Sequence, residues 1–99
     1  MSAKKKDTVM PHILMYTMGH CPYCARAKAL LSKKGVQSWE DYDLEIVPEK
    51  RAEMLEKSGG RRTVPQIFIG DRHVGGADDL FALDAAGGLD PLLKQLNPT

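Results

Sequence analysis

The stretch YTMGHCPYCARAKALL, residues 16–31, carries both cysteines of the chain, Cys21 and Cys24. Two thiols at this spacing can hold a metal, close a structural disulfide or exchange disulfides, and the surrounding residues decide which. HILMYTM, residues 12–18, leads into them; short, apolar and carrying β-branched and aromatic members, it reads as a buried strand. Pro22 suits the first position of a helix, where its missing N–H costs nothing and its fixed φ is already helical. ARAKALLSKK, residues 25–34, continues that helix with Cys24, Ala27 and Leu31 on one stripe and Arg26 and Lys33 off it. A basic last turn complements the helix dipole and Gly35 supplies the stop.

The remaining segments follow the same grammar. VQSWEDYDL, Val36 to Leu44, alternates and reads as a second strand, parallel to the first because a helix separates them. PEKRAEMLEKSGG, residues 48–60, gives a second helix with Met54 and Leu55 inward and Gly59 as its stop. PQIFIGDRHVGG, residues 65–76, divides into two short strands around Gly70 and Asp71, close enough to pair as a hairpin. DDLFALDAAGG, residues 78–88, forms a third helix capped by Asp78 or Asp79, and LDPLLKQL, residues 89–96, adds a last turn or short helix. The order is βαβαββα: an α/β chain with a mixed four-stranded sheet flanked by helices on both faces.

With 99 residues the chain fits one domain, expected over residues 10–97 after a flexible basic segment at residues 1–9. Lys plus Arg number 14 against 13 for Asp plus Glu, so the balance argues for neither nucleic acid nor an anionic membrane surface as partner. The start, MSAKKKDTVM, has no apolar stretch of signal-peptide length, and no segment approaches the roughly 20 apolar residues of a membrane span. A soluble, cytoplasmic protein is expected. In that reducing compartment a structural disulfide is a poor default.

Position separates the roles of the two thiols. The unpaired N–H groups and dipole of a helix start favour an anion, so Cys21 is the better placed thiolate nucleophile. Cys24, one turn inside and on the same face, can reach the sulfur of Cys21 but is less exposed, which suits a resolving thiol. Zinc wants about four ligands and one C-x-x-C supplies two. Among His12, His20 and His73 there is no second closely spaced pair, and His20 reads as a solvated loop side chain. No metal is expected.

CPYC at residues 21–24 resembles the motif of dithiol glutaredoxins. The likeness extends to YT at Tyr16 and Thr17, TVPQIFI at Thr63 to Ile69, GGADDL at Gly75 to Leu80 and LDAAGGLDPLL at Leu83 to Leu93. These stretches are similar to those of small bacterial glutaredoxins from about Met10 to Leu96. The resemblance implies a thioredoxin-like fold and glutathione-dependent disulfide reduction. It also implies a glutathione site along Thr63, Val64 and Pro65 and along Gly76, Ala77 and Asp78. A cis peptide before Pro65 leaves the Val64 backbone free to pair with the cysteinyl part of glutathione. The helix start near Ala77 and Asp78 receives the γ-glutamyl carboxylate, and Asp78 takes the ammonium. Arg61 or Arg62 meets the glycyl carboxylate, and Tyr23 packs beside the site.

Many relatives carry a Lys three residues before the first cysteine, where this chain has Met18. That charge is either absent or replaced, with Arg61, Arg62 and a protonated His20 as the alternatives. The expected partners are glutathione and proteins that carry disulfides or glutathionyl groups, with the chain itself a monomer. Two other functions share the fold: a thioredoxin-type reductase independent of glutathione, and an iron-sulfur carrier whose cluster is ligated by Cys21 and glutathione. The glutathione-like groove argues against the first, and Pro22 with the second thiol against the other.

Overall fold

A computed structural model describes residues 12–96. The flexible basic segment expected at residues 1–9 lies outside them, as do both outer limits of the expected domain, residues 10 and 97. These residues form four strands and four helices in the order β1 (Ile13–Thr17), α1 (Pro22–Lys33), β2 (Glu40–Asp43), α2 (Lys50–Lys57), β3 (Gln66–Ile69), β4 (Arg72–Gly75), α3 (Ala77–Ala85) and α4 (Leu89–Leu96). The sheet order is β2-β1-β3-β4, with β1 parallel to β2 and antiparallel to β3, and β3 antiparallel to β4. This is the mixed four-stranded sheet of a thioredoxin-like fold. The last segment forms a complete helix after α3, so the order ends αα.

β1 is buried at every position, and the strand period of two turns its residues alternately to the two faces of the sheet. Ile13 and Met15 face one way, onto Ala27, Leu30 and Leu31 of α1, Ala77 and Leu80 of α3 and Leu89 of α4. Leu14 and Tyr16 face the other way and meet Phe68, Leu44 and Met54 of α2. A sheet covered on both sides needs apolar residues on both, and each fully buried Leu, Ile or Met contributes about 1.5–3 kcal/mol. Tyr16 is fully buried, and its hydroxyl donates to Glu53 on α2. That bond meets the need of a phenol in a core to find a partner, and burial with Glu53 pushes Tyr16 ionisation upward.

Two element limits differ from the sequence reading. β2 begins at Glu40 rather than Val36. The N–H groups of Lys34, Gly35 and Val36 are taken by the last carbonyls of α1, Val36 donating to Leu31 O at 3.0 Å, so this stretch closes a helix before a strand can start. Val36 and Trp39 pack against the first core cluster from that connection. α3 starts at Ala77, with Gly76 rather than an aspartate as its N-cap.

Candidate active site

β1 ends at Thr17, a short loop crosses Gly19 and His20, and Cys21 stands at the N-cap of α1. Cys21 has extended backbone angles, its carbonyl accepts the first helical bond from Ala25 N–H at 3.1 Å, and Pro22 follows at the first helical position. The Cys21 side chain occupies the place of a capping hydroxyl: Cys24 N–H donates to its Sγ at 3.2 Å. With no acidic residue in the first turn, the positive end of the helix is left to the sulfur. The Cys21 thiol also faces Val64 O at 3.8 Å.

Both cysteines are free, Cys21 partly exposed and Cys24 buried at 2% exposure. Burial, with the contact to Cys21 second, pushes the Cys24 thiol up to about 12. It therefore stays protonated at neutral pH. One thiol reaches solvent at a helix N-terminus and the other is held neutral behind it, which is the asymmetry a nucleophile and a resolving thiol require.

A groove of about 490 Å³ opens beside this pair, lined by Tyr23, Arg61, Thr63, Val64, Pro65, Gly76, Ala77, Asp78 and Asp79. Three chain segments build it. The peptide bond between Val64 and Pro65 is cis, and Val64 N–H has no partner among the described residues. On the facing side, Leu80 N–H makes the first helical bond of α3 to Gly76 O at 3.0 Å, which leaves the N–H groups of Ala77 and Asp78 open at the helix start. Tyr23, 52% exposed, forms the rim with the Arg26 guanidinium 5.5 Å from its ring centroid.

The two aspartates of α3 take different positions. Asp79 turns back: its Oδ2 accepts Gly76 N–H at 2.9 Å and pairs with Arg61 at 3.3 Å. The Gly76 N–H, with Arg61 adding to it, holds the Asp79 carboxyl below the usual carboxylate range. Asp78 is exposed on the groove wall, and its carboxylate has no hydrogen bond or ion pair among the described residues.

Eight of the nine residues expected to bind glutathione line this one groove. Arg62 is exposed and is not among the lining residues, whereas Arg61 is fixed at its backbone by buried Ser58, whose Oγ accepts Arg61 N–H at 2.9 Å and donates to Arg61 O at 3.2 Å. Asp79 was missed as a groove residue; its signal was the spacing of three from Gly76, the capping-box offset. Met18 packs partly buried against the Leu14, Tyr16 and Leu44 cluster. The His20 side chain is 93% exposed and lies 3.6 Å from Glu45, so its nearest partner is on the loop and not in the groove. Among the described residues no group of three or more His, Cys, Asp or Glu is placed to hold a metal ion, and no helix is long and apolar enough to cross a membrane.

A thioredoxin-like fold that presents a C-x-x-C at the start of its first helix, next to a cis-proline turn, defines a thiol-disulfide exchange protein. The particular family follows from comparison with known proteins. The sequence profile of the Glutaredoxin family matches residues 13–74. Glutaredoxin 3 of Escherichia coli strain K12 is 59% identical over 85 residues, covering 86% of this chain and all of the relative, and the Glutaredoxin of Pseudomonas aeruginosa is 54% identical over 85 residues, covering 86% and 99%. The solution structure of glutaredoxin from Brucella melitensis superposes with a TM-score of 0.73 at 56% identity, over 88% of this chain and 92% of that one. The crystal structure of a buckwheat glutaredoxin–glutathione complex gives a TM-score of 0.78 at 28% identity, over 95% and 87%. The chain belongs to the glutaredoxin family. Its activity is that of the family, thiol-disulfide exchange with glutathione as the reducing co-substrate.

Proposed function

We propose that the chain reduces both glutathione mixed disulfides and protein disulfides, with Cys21 as nucleophile and Cys24 as resolving thiol. The observation that carries this is the unequal setting of the two sulfurs, one partly exposed and accepting an N–H, the other buried and protonated. On a glutathionylated protein, the Cys21 thiolate attacks the glutathionyl sulfur and the protein thiolate leaves. A second glutathione thiolate then attacks the Cys21-bound glutathionyl sulfur, which frees the Cys21 thiolate and yields oxidised glutathione. On a protein disulfide, Cys21 forms the mixed disulfide first. Cys24 then loses its proton, which ends on the departing thiolate, and its sulfur displaces that thiolate to form the Cys21–Cys24 disulfide. Two glutathione molecules return both cysteines to thiols.

The groove fits an extended γ-glutamyl peptide. Val64 N–H and C=O offer the strand-like pairing that a cysteinyl residue can accept, the open N–H groups of Ala77 and Asp78 offer an anion site to its γ-glutamyl carboxylate, and the free carboxylate of Asp78 suits its ammonium. Arg61 is the cation for the glycyl carboxylate, with Arg62 outside the groove. Thr63, Pro65 and Gly76 contribute shape, and Tyr23 closes the rim. These groups favour a glutathione-served enzyme over a thioredoxin-type reductase. The chain works as a cytoplasmic monomer, with glutathione and thiol-bearing proteins as partners and without nucleic acid or membrane.

Intact-mass measurement of Cys24→Ser after exposure to oxidised glutathione tests this reading. One glutathionyl adduct on Cys21, depleted by Asp78→Asn at limiting glutathione, is the expected result. Absence of any adduct, or an adduct unaffected by Asp78→Asn, contradicts the assignment of nucleophile or of groove respectively.

A further inference from the structure

Gln66 is the one polar side chain in β3, between Pro65 and a run of Ile67, Phe68 and Ile69, and it is 0% exposed. A buried amide is costly unless its donors and acceptor are met. Its Nε2 donates to Thr63 O at 3.0 Å and to Thr63 Oγ1 at 3.3 Å, and its Oε1 lies 2.7 Å from His73 Nε2 on β4. These contacts determine one another. Because a carbonyl only accepts, the amide nitrogen must face Thr63, the amide oxygen must face His73, and His73 Nε2 must carry the proton.

His73 is itself held. It pairs with Phe68 in the sheet register and its ring lies on the Phe68 ring, centroids 4.6 Å apart with 23° between planes. Burial, then Arg61, lowers the His73 ring below the usual histidine range, with Asp79 opposing, so the ring is neutral near pH 7 and donates as a single tautomer. A methionine would fill the Gln66 site without any polar need. What the amide adds is a tie from the β3–β4 hairpin to Thr63, the residue directly before Val64.

We infer that Gln66 and His73 are positioning residues for ligand binding: the chain His73 to Gln66 to Thr63 sets the Thr63–Val64 turn so that Val64 N–H and C=O stay aimed into the groove for an extended peptide ligand. The inference rests on the glutathione reading of that groove. Neither residue touches the reacting sulfurs. Their loss therefore weakens ligand binding in ground and transition states alike, which raises KM and leaves kcat in place.

The test is steady-state deglutathionylation of a glutathionylated peptide, with alkylation of Cys21 by iodoacetamide as a readout that needs no peptide pairing. Gln66→Met and His73→Phe are expected to raise KM for the glutathionylated peptide about fivefold, as one lost hydrogen bond implies. Their kcat and alkylation rates stay at the wild-type values. His73→Gln, which keeps an N–H donor for the Gln66 oxygen, restores most of the loss. An unchanged KM in both Gln66→Met and His73→Phe overturns the inference, and so does a parallel fall of KM-independent turnover and alkylation, since that marks a structural role only. A wild-type protein that takes no glutathionyl group overturns the function beneath it, an outcome read from the wild type alone.

Discussion

Arg61 and Asp79 meet across the groove at 3.3 Å, and the same carboxylate oxygen caps Gly76 N–H at 2.9 Å, so one side chain both starts α3 and aims the guanidinium. Both side chains are about half exposed, which keeps the worth of the pair to stability small. Its consequence is orientation. Asp79→Asn keeps an oxygen for Gly76 N–H but loses the ion pair; the expected result is a rise of about two- to fivefold in KM for glutathione with less than about 1 kcal/mol change in unfolding free energy. The acid limb should change too. The folded Asp79 carboxyl is held low by Gly76 N–H, so its contribution is complete above the unfolded value near pH 4 and is lost as pH falls through the folded value. Urea unfolding of wild type and Asp79→Asn between pH 2 and 6 measures it, with the two curves converging in acid.

Gly75 has φ of 116°, and a Cβ there would stand 2.3 Å from Asp79 Oδ2 and 3.0 Å from Asp79 Cβ. Gly75→Ala therefore meets both a left-handed backbone penalty and the displacement of Asp79 from its cap. A stability loss of about 1–3 kcal/mol with reduced glutathione kcat/KM is expected from thermal unfolding and steady-state assays.

Burial that raises Cys24 to about 12 predicts its reactivity. In Cys21→Ser, iodoacetamide should leave folded Cys24 unmodified at pH 8, whereas the urea-unfolded chain, with a thiol near 8.5, reacts readily. In Cys24→Ser the partly exposed Cys21 reacts without urea. Timed alkylation read by mass spectrometry checks all three.

His73, lowered by burial and then by Arg61, gives stability a pH slope of definite sign. Below about 6.5 the unfolded chain takes up a proton that the folded ring resists, so stability is full above that pH and falls as pH drops toward the folded value. His73→Gln should flatten the slope of unfolding free energy between pH 5 and 6.5. Chemical denaturation across that range provides the comparison.

The sequence exposed those features that depend on near neighbours. HILMYTM read as a strand, Pro22 as a helix start and Gly35 as its end because each is a local preference, and the structure has them there. TVP and GGADDL marked the groove walls by resemblance. What escaped depends on distant partners or on backbone alone. Gly76 caps α3 through its extended backbone without a capping side chain, so the reading favoured the aspartates that follow it. Arg61 and Arg62 are equivalent as letters and differ because Ser58 clamps the backbone of the first and Asp79 pairs with its guanidinium. The Gln66–His73 contact crosses a hairpin with a bulge, and no spacing along the chain announces it. At Met18 the sequence shows only that a Lys of many relatives is absent or replaced, while the structure uses the side chain as apolar cover over the second core cluster.

The division of labour between Cys21 and Cys24 is tested most directly by glutathione-coupled turnover of one glutathionylated peptide and one protein disulfide, with Cys21→Ser and Cys24→Ser beside the wild type. The geometry predicts that Cys21→Ser falls to the uncatalysed background on both substrates. Cys24→Ser stays within about tenfold of wild type on the glutathionylated peptide, a barrier change below ~1.4 kcal/mol, and loses the protein disulfide. Equal loss of deglutathionylation in the two variants, or activity surviving in Cys21→Ser, contradicts the account.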